Sequence, residues 1–153
     1  MHFLELKIPP AALLIICIAG MLSAQVYLPL MPLNLWIKWG LTGVLLSGAL
    51  IIIMLAVWHF RQHTTTVNPM QPEQTKQLLT NGVMQYTRNP MYLGFLMLII
   101  ATGIAMQSYI FPIVSLVFIT WITRFQIIPE ERALNALFPI EFIQYCKTTR
   151  RWI

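Results

Sequence analysis

The chain has 153 residues, of which 58% are hydrophobic and 10% charged, with a formal net charge of +5. Its mean hydropathy of +0.69 lies outside soluble globular usage, where about a quarter of residues are charged, and marks an integral membrane protein. One domain over residues 1–153 exhausts this length, and the positive surplus reports membrane orientation, with no nucleic-acid partner implied.

Four apolar stretches approach the roughly 20 residues that cross a hydrocarbon core: 8–30, 36–58, 91–107 and 109–128. The first reads as a span and not a cleaved leader, because Leu22 suits a small-residue cleavage pattern poorly and apolar residues continue past Ala24. The first two spans carry Gly20, Gly40, Gly43 and Gly48, where a missing side chain would allow close helix packing. Neither holds an ionisable residue deep inside, so both read as scaffold or as walls for a lipid-like ligand.

From His59 the chain turns polar, and the stretch to Asn89 reads as a loop folded over the membrane face, with a short helix predicted from Pro72 to Leu79. Thr80-Asn81-Gly82 is then a turn, since Asn and Gly tolerate positive φ. His59 and His63 are four apart but have no third ligand in view, and no metal site is predicted. Asn89-Pro90 starts the third span, the asparagine as its cap and the proline at its first position.

The link at 108 is short, so the third and fourth spans are antiparallel neighbours. Pro129 is expected to stop or kink the fourth span and to begin another helix, and Pro139 to repeat the device. Phe142, Ile143 and Tyr145 alternate with Glu141, Gln144 and Lys147, as in an amphipathic helix on a membrane surface.

The cations fix the orientation. Lys7 precedes the first span; Arg61, Lys76 and Arg88 lie between the second and third; Arg124, Arg132, Lys147, Arg150 and Arg151 lie near or beyond the end of the fourth. Lys38, between Trp36 and Trp39, belongs to the other side. The fold class expected is therefore an all-α polytopic membrane bundle of four transmembrane helices. Both termini and the segments 59–90 and 129–153 are then cytoplasmic, and a bacterial inner membrane is the expected location.

This topology brings Arg88, Asn89 and Tyr92 to the same membrane side as Arg124, Glu130 and Glu131, which supply two of the five carboxylates. Taken singly, each has an ordinary explanation: acids in a first helical turn gain about 0.3–1 kcal/mol from the dipole, and arginines gather at cytoplasmic span ends. Arg124 is harder to explain, because an arginine a turn inside a span costs up to about 3 kcal/mol on insertion scales. A carboxylate from Glu130, Glu131 or an anionic ligand would offset that cost.

Leu78-Leu79-Thr80-Asn81-Gly82, Arg88-Asn89-Pro90-Met91-Tyr92-Leu93-Gly94, Glu130-Glu131 with Leu134 and Phe138, and then Tyr145 and Arg151 follow in order and at suitable spacing. Over residues 60–153 the chain thereby resembles the isoprenylcysteine carboxyl methyltransferase family, which is related to the phospholipid methyltransferases. The resemblance implies an S-adenosylmethionine-dependent membrane methyltransferase acting on a lipid-like or amphiphilic carboxylate, thiol or amine at the cytoplasmic face. It implies that Leu78 and Leu79 contact the cofactor through their backbone, that Arg88, Asn89, Pro90, Met91 and Tyr92 line it, and that Glu130 holds its amino group or ribose. Arg124 and Glu131 fall on the catalytic side, Arg124 toward the acceptor. Eukaryotic members carry histidine where this chain has Asn89, an amide that hydrogen-bonds but does not titrate near neutral pH. The alternative is a non-catalytic membrane scaffold or lipid-binding protein of the same fold.

Overall fold

A computed structural model of the protein describes residues 4–62 and 77–153. The described residues form six α-helices: α1 Pro10–Gln25, α2 Leu35–Gln62, α3 Pro90–Ala105, α4 Phe111–Ile122, α5 Ile128–Leu137 and α6 Pro139–Thr148. A π-turn over Thr123–Ile127 joins α4 to α5, and a 3-10 turn over Gly82–Gln85 precedes α3. Among the described residues there is no strand, only an isolated bridge between Leu30 and Ser108.

Two helical runs are long and apolar enough to cross a membrane: Leu35–Gln62, of 28 residues, and Phe111–Leu137, of 27. The apolar helices Pro10–Gln25 and Pro90–Ala105 have 16 residues each, about 24 Å at 1.5 Å per residue, short of a core of about 30 Å. α2 carries Trp36 and Trp39 at one end and Trp58 at the other, all outward-facing. Trp36 and Trp58 stand about 33 Å apart along the axis, the spacing of two interfacial aromatic belts.

Packing divides between two clusters. Leu13 and Cys17 of α1, Tyr92 and Ile99 of α3, and Phe118, Ile122 and Ile127 of the fourth helix close the bundle core, and α2 lies along α3. Leu79, Met84, Phe142 and Tyr145 close a second, smaller core that fastens α6 under the 78–85 segment. At the far end, Gln107 binds the Met31 carbonyl through Nε2 at 2.7 Å and accepts from Lys38 at 3.4 Å, stitching the two connections together. Among the described residues Lys38 is the one cation at that end.

Three local expectations change. α2 runs to Gln62, so His59 belongs to it, and residues 77–79 are not helical; the rest of the expected 72–79 helix lies outside the described residues. A Cβ at Gly20, Gly40 or Gly43 would meet nothing within 4 Å, whereas one at Gly48 would come within 2.8 Å of Met97 and one at Gly94 within 2.5 Å of Ile53. Close packing therefore falls at the α2–α3 contact. Pro129 stands in the first turn of α5, as expected of a proline that begins a helix, but the break before it is a π-turn over Thr123–Ile127 and the helical run continues to Leu137.

Gly94→Ala forces α2 and α3 apart and is expected to lower stability by about 1–3 kcal/mol. Gly43→Ala, which faces open space, is expected to cause no loss, since alanine is the better helix former by up to about 1 kcal/mol. Thermal unfolding of the detergent-solubilised variants distinguishes the two sites.

Candidate functional site

α3 begins at Pro90, whose missing N–H costs nothing at a first helical position. Asn89 precedes it with φ −131° and makes no side-chain cap. Its Nδ2 instead donates to the Arg151 carbonyl at 2.9 Å, and its backbone N–H goes to Thr87 Oγ1 at 3.1 Å. The expected capping asparagine is thus a tie to the 149–152 segment. Arg88 reinforces that tie through its N–H, which donates to the Arg150 carbonyl at 3.0 Å, and through Nη1, which donates to the Thr149 carbonyl at 2.5 Å.

Glu131 stands at the centre of the resulting seam. Arg88 approaches Oε1 with Nη2 at 2.8 Å and Nε at 3.3 Å, and Arg151 approaches Oε2 with Nη2 at 2.5 Å and Oε1 with Nε at 3.1 Å. The Arg88 and Glu131 side chains are 12% and 17% exposed, so solvent screens this pair weakly. Both oxygens are engaged by guanidinium forks, and the charge is compensated.

Glu130, one residue earlier, has a different environment. Its Oε1 accepts from the Tyr92 hydroxyl at 2.5 Å and from Gln126 Nε2 at 2.6 Å, both neutral donors. Among the described residues Oε2 has no hydrogen-bond partner. The buried stripe of α4, Ser115, Phe118 and Ile122, continues through Gln126 and Ile127 of the π-turn to Pro129. The extra residue of the turn rotates the helix beyond it by about 100° and so sets the register in which Glu130 meets Tyr92.

The 78–85 segment completes this end. Gly82 takes φ +59°, and a Cβ there would come within 3.2 Å of the His59 ring; the ring's Nε2 lies 2.7 Å from Asn81 Oδ1. Both facts favour glycine at the predicted turn. Leu79 is buried with Met84, Phe142 and Tyr145, and Leu78 packs beside it. The Tyr145 hydroxyl donates to the Met84 carbonyl at 2.7 Å, and burial pushes its phenol above the ordinary tyrosine range, keeping it a donor. A shallow, open cavity of about 440 Å³ lies here between Thr80, Gln85, Glu141, Gln144, Tyr145 and Thr149. Thr149 joins it to the seam.

Of the residues expected from sequence, Arg88, Asn89, Pro90, Met91, Tyr92, Glu130 and Glu131 come together. Leu78 and Leu79 pack in the second core, next in sequence to Thr80 of the cavity. Arg124 does not join them: its Nη1 lies 3.2 Å from Glu5 Oε1, and its side chain is 45% exposed. The carboxylate that offsets its cost comes from the segment before α1. Gln126 and Thr149 were not anticipated, although a glutamine four residues before Glu130 in an apolar run is a visible i, i+4 partner.

The profile of a family described as phospholipid methyltransferase matches residues 37–140, which include Arg88, Asn89, Tyr92, Gln126, Glu130 and Glu131. The chain is 27% identical over 141 residues to protein-S-isoprenylcysteine O-methyltransferase B of Arabidopsis thaliana, a match covering 90% of this chain and 69% of that protein. No solved structure matches.

Glu131→Ala leaves two arginines facing each other and removes hydrogen bonds to charged groups worth about 1.5–3 kcal/mol each in comparable settings. The 149–152 segment is expected to open locally, and trypsin to cleave after Arg150 and Arg151 faster than in the parent; mass spectrometry of the early digest reads this.

Proposed function

Since the chain belongs to the phospholipid methyltransferase family, we propose that it carries a methyl group from S-adenosylmethionine to a lipid-like or amphiphilic acceptor at the cytoplasmic membrane face. It is an S-adenosylmethionine-dependent membrane methyltransferase, as family and relative agree. The single observation that carries the assignment of the site is the Glu130 carboxylate, anchored through one oxygen by Tyr92 and Gln126 with its other oxygen unpartnered among the described residues.

That arrangement fits the cofactor. A carboxylate held by neutral donors can still pair with a cation, and its open oxygen can accept from an ammonium or a ribose hydroxyl. In this reading Glu130 holds the cofactor's amino group or ribose. Tyr92, Asn89, Pro90 and Met91 line it, the Leu78 and Leu79 backbone lies alongside, and Arg88 and Glu131 keep the wall in place. The cofactor, when bound, supplies an electrophilic methyl on a sulfonium sulfur.

The protein's own work is positioning and exclusion of water. An acceptor that arrives as a carboxylate or thiolate needs no proton moved; an amine has to arrive deprotonated. Asn89 suits this division, since it ties the 149–152 segment and does not titrate. Glu131 is a positioning residue for the seam. Arg124 contacts Glu5, and no acceptor role is assigned to it.

The orientation belongs to the same proposal: one domain, four spans with α1 and α3 as the short members, and the polar end facing the cytoplasm. Lys7, Arg61, Arg88, Arg124, Arg132, Lys147, Arg150 and Arg151 at one end against Lys38 at the other support it. A bacterial inner membrane is the proposed location.

Calorimetry in detergent with S-adenosylhomocysteine tests the site. Glu130→Ala is expected to weaken binding by about 1.5–3 kcal/mol, and Tyr92→Phe, which leaves Gln126 in place, by about 1 kcal/mol. Unchanged affinity in Glu130→Ala removes the assignment. Incubation with methyl-labelled S-adenosylmethionine and a membrane lipid extract, followed by identification of the labelled product, reads the acceptor class.

A further inference from the structure

Residues 4–8 form a hook in front of α1 that closes on the π-turn of the fourth helix. Leu6 takes φ +57°, unusual for a leucine, and its N–H donates to the Phe125 carbonyl at 3.0 Å. In an unbroken α-helix that carbonyl would pair with the N–H of residue 129, which is proline and has none. Glu5, 11% exposed, reaches Arg124 with Oε1 at 3.2 Å and Arg132 with Oε2 at 2.8 Å. Of its two partners Arg124 lies in the π-turn and Arg132 lies beyond Pro129, so a single carboxylate ties the turn to the helix that follows it. Ile8 packs into the bundle core, and the Pro9 carbonyl starts α1 by accepting from Ala12 and Leu13.

The π-turn sets the register in which Glu130 meets Tyr92, because without its extra residue the helix beyond it would be rotated by about 100°. We propose that Glu5 and Leu6 are positioning residues: they hold the π-turn over Thr123–Ile127 and through it aim Glu130 and Gln126 at the site. The hook touches the helix from the side of Arg124 and Arg132, while Gln126 and Glu130 face Tyr92, so it acts through helix register without contacting the cofactor. This inference rests on the reading of Glu130 as a cofactor-binding carboxylate.

The test uses the whole protein in detergent, with S-adenosylhomocysteine binding by calorimetry, amide hydrogen exchange over 123–130, and the thermal midpoint. Glu5→Gln removes both ion pairs at little change in size. It is expected to weaken binding by about fivefold or more and to speed exchange in 123–130 by about tenfold, with the midpoint nearly held, since both arginines are about half exposed and pairs of that kind contribute little to global stability. The double variant Arg124→Gln, Arg132→Gln attacks the same bridge from the helix and gives the same readouts should Glu5→Gln fail to fold.

Parent-like binding and exchange in both bridge variants would overturn the proposal, as would a loss of binding that only tracks a falling midpoint. If the parent itself fails to bind S-adenosylhomocysteine, the reading of Glu130 falls while the hook is still decided by exchange: faster exchange on loss of the bridge supports it and unchanged exchange overturns it.

Discussion

A backbone or side-chain polar group at the end of an apolar bundle has little water to turn to, and leaving it unpaired costs several kcal/mol. Much of the architecture at the polar end of this protein answers that constraint. Pro129 withholds an N–H from Phe125, and Leu6 supplies one. Arg88 enters the same end with a full charge and meets Glu131 and the Thr149 carbonyl. The 149–152 segment, which has no helix of its own to satisfy its carbonyls, gives them to Arg88, Asn89 and Thr87. Satisfying each group from elsewhere in the chain draws distant segments onto the ends of α3 and α5, and a site forms where they meet.

The two adjacent glutamates show how partner chemistry divides labour between like residues. Glu131 is met by two guanidinium groups and has no uncompensated charge to offer. Glu130 is met by a phenol and an amide through one oxygen, which orient the carboxylate without neutralising it. A cationic ligand is attracted to the second and not the first. One residue of separation is about 100° of helix, so neighbours in sequence necessarily serve different faces. The guanidinium-saturated carboxylate is suited to holding segments together, and the amide-anchored one to binding.

The all-helical character was legible because long apolar runs are a strong signal, and α2 and α3 begin within a residue of where Trp36 and Asn89-Pro90 indicated. The gathering of one polar end was legible as well, since Arg88 to Tyr92 and Glu130-Glu131 are polar strings at the ends of a short-linked hairpin. What sequence could not deliver was anything that depends on register or on long-range pairing. A π-turn has no distinct composition, so Pro129 looked like a stop. The sequence-derived cap at Asn89 was a local choice overridden by a carbonyl 62 residues away. Arg124 was sought by an acceptor on charge alone, and the nearer answer, Glu5, lies 119 positions earlier. The glycines misled for the same reason: spacing suggests a smooth face but not which helix lies against it, and Gly40 and Gly43 face outward.

The groups gathered around Glu130 also bear on what kind of catalyst this is. Asn89 and Gln126 are amides, and the Tyr92 phenol is committed to the Glu130 carboxylate. Among these described groups, any proton transfer would fall to Glu130, the carboxylate that Tyr92 and Gln126 orient. Each does restrict where a bound molecule can sit: Glu130 fixes one pole, the α3 start fixes another, and the seam closes the wall between them. For transfer of a methyl group from sulfur to an anionic acceptor, collinear placement in a dry site supplies most of what is needed. A site built from amides, guanidinium forks and one open carboxylate oxygen is suited to that task.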